Sequence, residues 1–243
     1  MSWSESPTTR ELVSFVQRSL ARVADPVKAA AMAAYMKTDM PFYGVQKPER
    51  APIARDAVRG YPPGDEGEYR ERVLALWSLP HREEKYIALD YADQKRFVTP
   101  AALPLYERLI REGAWWDFVD FIASHLVGGA LLRHRAAVQP VLDAWIEDRD
   151  LWIRRAAILA QLRHKGATDA ERLFRYCRMQ AHETEFFIRK AIGWALREYS
   201  KWNPEAVKAF LTEHRRELSG LSLREGAKHL AARGWTPPWA EAG

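Results

Sequence analysis

The sequence predicts an all-α protein built as a curved solenoid of antiparallel helix pairs. Three observations predict it. Apolar residues recur at i, i+3 and i+4 along most of the chain. Period-2 alternation is nearly absent, so no sheet is expected. One pattern also repeats at a spacing of thirty-five residues: Trp152-Ile153-Arg154-Arg155-Ala156-Ala157-Ile158-Leu159 aligns without a gap on Phe187-Ile188-Arg189-Lys190-Ala191-Ile192-Gly193-Trp194. Regular self-similarity of this length is the mark of stacked helical units.

The elements follow in order. Thr8 or Thr9 is placed to cap a first helix, whose Leu12, Phe15, Val16, Leu20 and Val23 form one stripe. Pro26 opens an alanine-rich second helix running through Tyr35-Met36-Lys37. Met40-Pro41-Phe42-Tyr43-Gly44-Val45 breaks it, and helical patterning resumes over residues 52–59. Gly60-Tyr61-Pro62-Pro63-Gly64 reads as a turn. From there helices are expected near residues 66–78, 81–95, 101–112, 116–137, 138–147, 150–163, 168–179, 184–201, 204–217 and 222–233, punctuated by Pro80, Pro100, Gly113, Gly166 and Pro204. The tail from Gly234 to Trp239 reads as extended.

Bulk properties narrow the function classes. With 243 residues, 47% of them hydrophobic, the chain can bury a substantial core. A net charge of +5 and a pI near 9.3 favour an anionic partner. A single cysteine, Cys177, excludes a disulfide framework and any cysteine-rich metal site. The N-terminal residues lack a basic segment followed by an apolar run, and no stretch approaches the roughly 20 apolar residues of a membrane helix. A soluble cytoplasmic protein, monomeric and without contact to membranes, is the expectation.

Chemistry-bearing residues concentrate in two helices. In Trp115-Trp116-Asp117-Phe118-Val119-Asp120, Trp116 and Asp120 lie four apart and share a helix face. Phe118, Phe121 and Ile122 occupy the opposite, core-facing side. In the 184–201 helix, Ile188, Ala191, Ile192, Ala195 and Tyr199 make the apolar stripe, while Lys190, Trp194, Arg197 and Lys201 make a second stripe well away from it. Trp194 thus stands among cations. It either packs on a neighbouring unit or meets a ligand, and its kinship with Trp116 favours the ligand. Arg155 emerges among Trp152, Leu159 and Leu162, where a guanidinium requires an anion, either a carboxylate or a phosphate. Stepping by thirty-five places Lys85, Asp120, Arg155 and Lys190 at equivalent positions of successive helix pairs. Equivalent positions of a solenoid line one surface, and cations with interleaved indoles suit a nucleic-acid backbone. Phosphate-loop, dinucleotide, zincin and serine-hydrolase motifs are missing, and the seven histidines show no metal-ligand spacing. Any chemistry therefore falls to Asp120 and its indole neighbours.

The Ile-Arg-Arg-Ala-Ala and Ile-Arg-Lys-Ala patterns resemble the second helix of a HEAT repeat. On that basis residues 1–243 read as one HEAT-like domain: N-terminal helices over 8–60, repeats over about 66–233 and the tail over 234–243. More specifically, the chain from about Ala30 to Lys228 resembles the AlkD-like DNA alkylation-repair glycosylases. The likeness rests on Tyr35-Met36-Lys37 with Pro41-Phe42-Tyr43-Gly44, on the 115–120 and 152–159 stretches, and on residues 186–199. It implies hydrolysis of the N-glycosidic bond of cationic N3- or N7-alkylated purines in double-stranded DNA, without metal or organic cofactor. It implies that Asp120 is the catalytic aspartate, that Trp116, Trp194 and Tyr35 line the lesion cleft, and that Arg155 contacts DNA. The stripe residues Lys190, Arg197 and Lys201 join Arg155 as expected DNA contacts. The family acts without a base-accepting pocket, which fits an open face. A non-catalytic DNA-structure-binding module is the competing expectation. A protein-binding solenoid and a lyase using Lys190 are weaker ones.

Overall fold

The computed structural model describes residues 6–238. The regular structure of those residues is all helix, with no strand among them, as the periodicity predicts. The backbone divides into two compact units between Val98 and Thr99.

The first unit holds α1 (Pro7–Arg22), α2 (Pro26–Met36), α3 (Lys47–Gly60), α4 (Glu66–Trp77) and α5 (Arg82–Ala92). Leu12, Val16 and Leu20 of α1 are completely buried, and α1 packs on α3, α4 and α5. The cap of α1 is Ser6, whose Oγ accepts from the Thr9 N–H, rather than Thr8 or Thr9. Thr9 lies inside the first turn and is itself buried. The helix expected from residue 52 begins at Lys47, because Pro48 in its first turn suits a helix start and Gln46 with Glu49 closes a capping box. The 40–45 break is organised by one buried carboxylate. Glu83 is completely buried and accepts from the backbone N–H groups of Tyr43 (3.0 Å), Gly44 (2.8 Å) and Val45 (3.0 Å). Gly44 is required there: its φ is +84°, and a Cβ would sit 2.0 Å from the Asp25 carbonyl oxygen.

The second unit starts with a 3₁₀ turn at Pro100–Ala102 and α6 (Leu103–Gly113). It continues through α7 (Trp116–Phe121), a π turn (Ile122–Val127), α8 (Gly128–Arg133), α9 (Arg135–Trp145), α10 (Leu151–Leu159), α11 (Ala170–Met179), α12 (Phe186–Tyr199), α13 (Pro204–Glu213) and α14 (Gly220–Ala231). Helices α7, α10, α12 and α14 each pack on the next, and α6, α9, α11 and α13 pack on these. This is the stacked-pair arrangement that the thirty-five-residue repeat predicts. The single helix expected over 116–137 is instead broken twice, by the π turn and by His134, whose φ of −134° and ψ of 47° end α8. Apolar spacing does not register such a break, because Ile122, Ala123, Leu126 and Val127 remain completely buried across it. Residues 235–237 carry no helix; Trp239 lies outside the described residues.

Candidate active site

The thirty-five-residue spacing becomes a contact. Asp120 on α7 and Arg155 on α10 meet as a two-pronged ion pair, Nε to Oδ1 at 2.8 Å and Nη2 to Oδ2 at 2.9 Å. Stacking puts equivalent positions of neighbouring units side by side, so opposite charges at those positions find one another. Arg155 is only 3% exposed, and its third donor group bonds the Phe187 carbonyl at the start of α12. One guanidinium thus ties α7, α10 and α12 together. Of the two anions its apolar surroundings allowed, the carboxylate is the one present. The reason is desolvation: a buried guanidinium without a partner would cost several kcal/mol, on the order of 3–5.

Asp120 is nearly buried, its side chain 13% exposed. Burial pushes its carboxyl above the ordinary aspartate range, with a smaller push from the Asp117 charge; the Arg155 guanidinium pulls the other way. Trp116 opens α7 one turn before Asp120 and is half-buried. Its neighbour Trp115 takes a different role. It packs with Trp152 and Phe187 at centroid distances of 6.0 and 5.5 Å, and those two rings lie 4.9 Å apart. The Arg155 guanidinium sits 5.8 Å from the Phe187 ring centroid. An aromatic cluster thus meets the Arg155 side of the ion pair through Phe187.

The remaining expected site residues divide. Trp194 is half-buried on α12. Tyr35, on α2 in the first unit, is 75% exposed. Lys190 and Arg197, expected to face DNA, both bond Glu225 on α14, at 2.8 and 2.7 Å. Lys201 follows α12 and pairs with Glu198. Lys85 hydrogen-bonds the Trp77 and Leu79 carbonyls at the end of α4.

Glu225 escaped the sequence reading, yet it stands thirty-five residues after Lys190 and so extends the same ladder of positions. It is 4% exposed. Burial opposes its ionisation, but Lys190 and Lys228 outweigh burial and draw its pKa down to about 2. A depressed carboxylate stabilises the fold above its unfolded pKa, and that contribution is lost as pH falls through the folded value. Glu225→Gln is therefore expected to be less stable than wild type at neutral pH, with the gap closing between about pH 4.5 and 2. Urea unfolding at several pH values checks this; a gap independent of pH would contradict it. Gly193 makes the pairing possible, since a Cβ there would lie 2.4 Å from the Glu225 Cβ and force α12 from α14.

The site's constituents make an anion held in a low-dielectric setting one turn from an indole. Such a site can stabilise a developing cation and orient a nucleophilic water. Among the described residues there is no cluster of His, Cys, Asp and Glu fit to hold a metal ion, and no helix is long and apolar enough to cross a membrane.

Residues 16–230 match the protein family described as DNA alkylation repair enzyme. A solved structure described as a predicted DNA alkylation repair enzyme from Enterococcus faecalis superimposes with a TM-score of 0.79 at 31% identity, covering 86% of this chain and 97% of that chain. No curated protein sequence matches the chain.

Proposed function

Because the chain belongs to the DNA alkylation repair enzyme family, we propose that it is a monofunctional DNA glycosylase. It excises cationic N3- and N7-alkylated purines from duplex DNA by hydrolysing the N-glycosidic bond. The observation that carries this reading is the nearly buried Asp120 carboxylate, held by both prongs of Arg155 one helical turn after Trp116.

Alkylation at N3 or N7 gives the purine a positive charge and weakens its bond to C1′. The base leaves as a neutral alkylpurine with the bonding electrons, and the sugar becomes oxocarbenium-like. Asp120 stabilises that cation and positions the water whose oxygen bonds C1′; the water's proton passes to the carboxylate or to solvent. Burial strengthens both effects, since it raises the carboxylate's basicity and the local field. The π faces of Trp116 and Trp194 attract the cationic nucleotide, each contact contributing on the order of 0.5–2 kcal/mol. Uncharged lesions gain neither effect, so selectivity follows charge. Lys190, Arg197 and Lys201 contact phosphates once DNA competes for their carboxylates. Arg155, by its burial, serves this reading better as the holder of Asp120 than as a phosphate ligand.

A second reading has its own observation. The Lys190–Glu225 pair, one repeat further on, joins α12 to α14. If Asp120–Arg155 is the same, the protein is a non-catalytic module that binds DNA. The test is release of free base from methylated duplex, followed chromatographically, beside duplex containing uracil. Release of methylpurine alone is the expected result. Tight binding of methylated duplex without release would move the assignment to the binding module.

A further inference from the structure

The π turn after Asp120 carries a chain of hydrogen bonds that the proposed chemistry does not use. Within it the Gly128 N–H reaches back five residues to the Ala123 carbonyl. His125 stands four residues after Phe121, on the same helix face, and lies flat on it, with centroids 4.2 Å apart and planes 6° from parallel.

The proton positions in this chain are fixed by elimination. Ser124 Oγ donates to the Asp120 carbonyl oxygen at 2.6 Å. A hydroxyl has one proton, so in the 3.1 Å contact between Ser124 Oγ and His125 Nδ1 the imidazole is the donor. His125 is then the tautomer with its proton on Nδ1, and Nε2 is an acceptor. That acceptor meets the Arg163 guanidinium, which can only donate. Every donor points one way: Arg163 to His125, His125 to Ser124, Ser124 to the backbone of Asp120.

The outer end of the chain is suited to an anion. Arg163 is exposed, in the turn that follows α10. Its recorded partner is the imidazole, whereas Arg154, Arg155, Arg172 and Arg175 are each paired with a carboxylate. A guanidinium has five N–H donors, and a neutral imidazole cancels none of its charge. It is therefore oriented but not neutralised.

We propose that Arg163 is a DNA-phosphate contact, and that His125 and Ser124 relay its engagement to the backbone of Asp120 as positioning residues. The first half stands on charge and geometry alone; the second rests on the glycosylase reading. Seating a phosphate on Arg163 then holds the π turn, and with it the carboxylate, in working register.

Two measurements test the halves separately. Binding to undamaged duplex, followed by fluorescence anisotropy across a salt series, reads the contact. Arg163→Ala is expected to bind roughly 3- to 10-fold more weakly and to lower the salt slope by about 0.9, the contribution of one phosphate. Ser124→Ala is expected to leave both unchanged. An unaltered slope and affinity in Arg163→Ala would overturn the contact. Single-turnover base release at saturating enzyme reads the relay. Ser124→Ala is expected to slow release roughly tenfold at unchanged affinity, as a small displacement of a reacting group does. Ser124→Thr, which keeps the hydroxyl, should restore the rate. His125→Phe, which keeps the ring stack but cuts the chain, should behave like Ser124→Ala. Wild-type rates in both interrupted variants would overturn the relay. Should wild type release no base, the relay falls with the glycosylase reading, while the salt series still decides the phosphate contact.

Discussion

Replacing Asp120 with asparagine is expected to lower base release from methylated duplex by about 10²–10³-fold, the loss typical when one preorganised electrostatic group is removed from a reaction centre. The change keeps shape and volume. An asparagine carbonyl oxygen still accepts one of the two Arg155 bonds seen at 2.8 and 2.9 Å, so α7 and α10 stay together. What disappears is the negative charge beside the developing sugar cation and the base that orients water. DNA affinity is expected to hold or rise slightly, because an anion near the backbone is removed. Binding by anisotropy and base release by chromatography, in the same preparation, check both parts. Turnover near wild type in Asp120→Asn would remove Asp120 from the reaction. Loss of binding together with loss of release would mean that the residue holds the fold instead.

The thirty-five-residue repeat was legible because stacked units must place the same kind of residue at the same height. Arg155 could be read from sequence as a cation needing an anion, since its neighbours are apolar. The identity of that anion was not legible, although Asp120 stands one repeat before it. Periodicity marks equivalent positions but does not say whether their side chains turn outward or toward each other. The α12 stripe shows the same limit: Lys190 and Arg197 project from one face, as spacing requires, but α14 supplies Glu225 to that face. The π turn was invisible for a different reason. Its apolar residues are as buried as an α-helix would bury them, and what distinguishes it is five-residue bonding and the side chains of Ser124 and His125. Tyr35 is exposed and Trp116 and Trp194 are half-buried, because large rings outside an apolar stripe are left partly in solvent.

Arg155→Met separates a holding role from a DNA-contacting one. Methionine fills the aliphatic volume but leaves the Asp120 carboxylate nearly buried without its counter-charge. Removing one partner of a buried pair typically costs about 3–5 kcal/mol, and the Asp120 side chain at 13% exposure is close to that limit. The pH dependence fixes the cause. Asp120 already has its pKa raised by burial, with Arg155 opposing the rise; without Arg155 it climbs further. An acid whose folded pKa exceeds its unfolded value binds its proton more tightly in the folded state. Stability is then greatest below the unfolded pKa and declines as pH rises toward the folded one. The deficit of Arg155→Met relative to wild type should therefore be large at neutral pH and shrink on acidification. Adding Asp120→Asn should recover much of it at neutral pH, since the stranded charge is gone. In base release, the acid limb of the pH profile should move to higher pH, because Asp120 must be ionised to act. The salt slope of DNA binding should stay unchanged, whereas a phosphate ligand would lower it by about 0.9. A lowered slope with an unmoved acid limb would return Arg155 to the DNA surface.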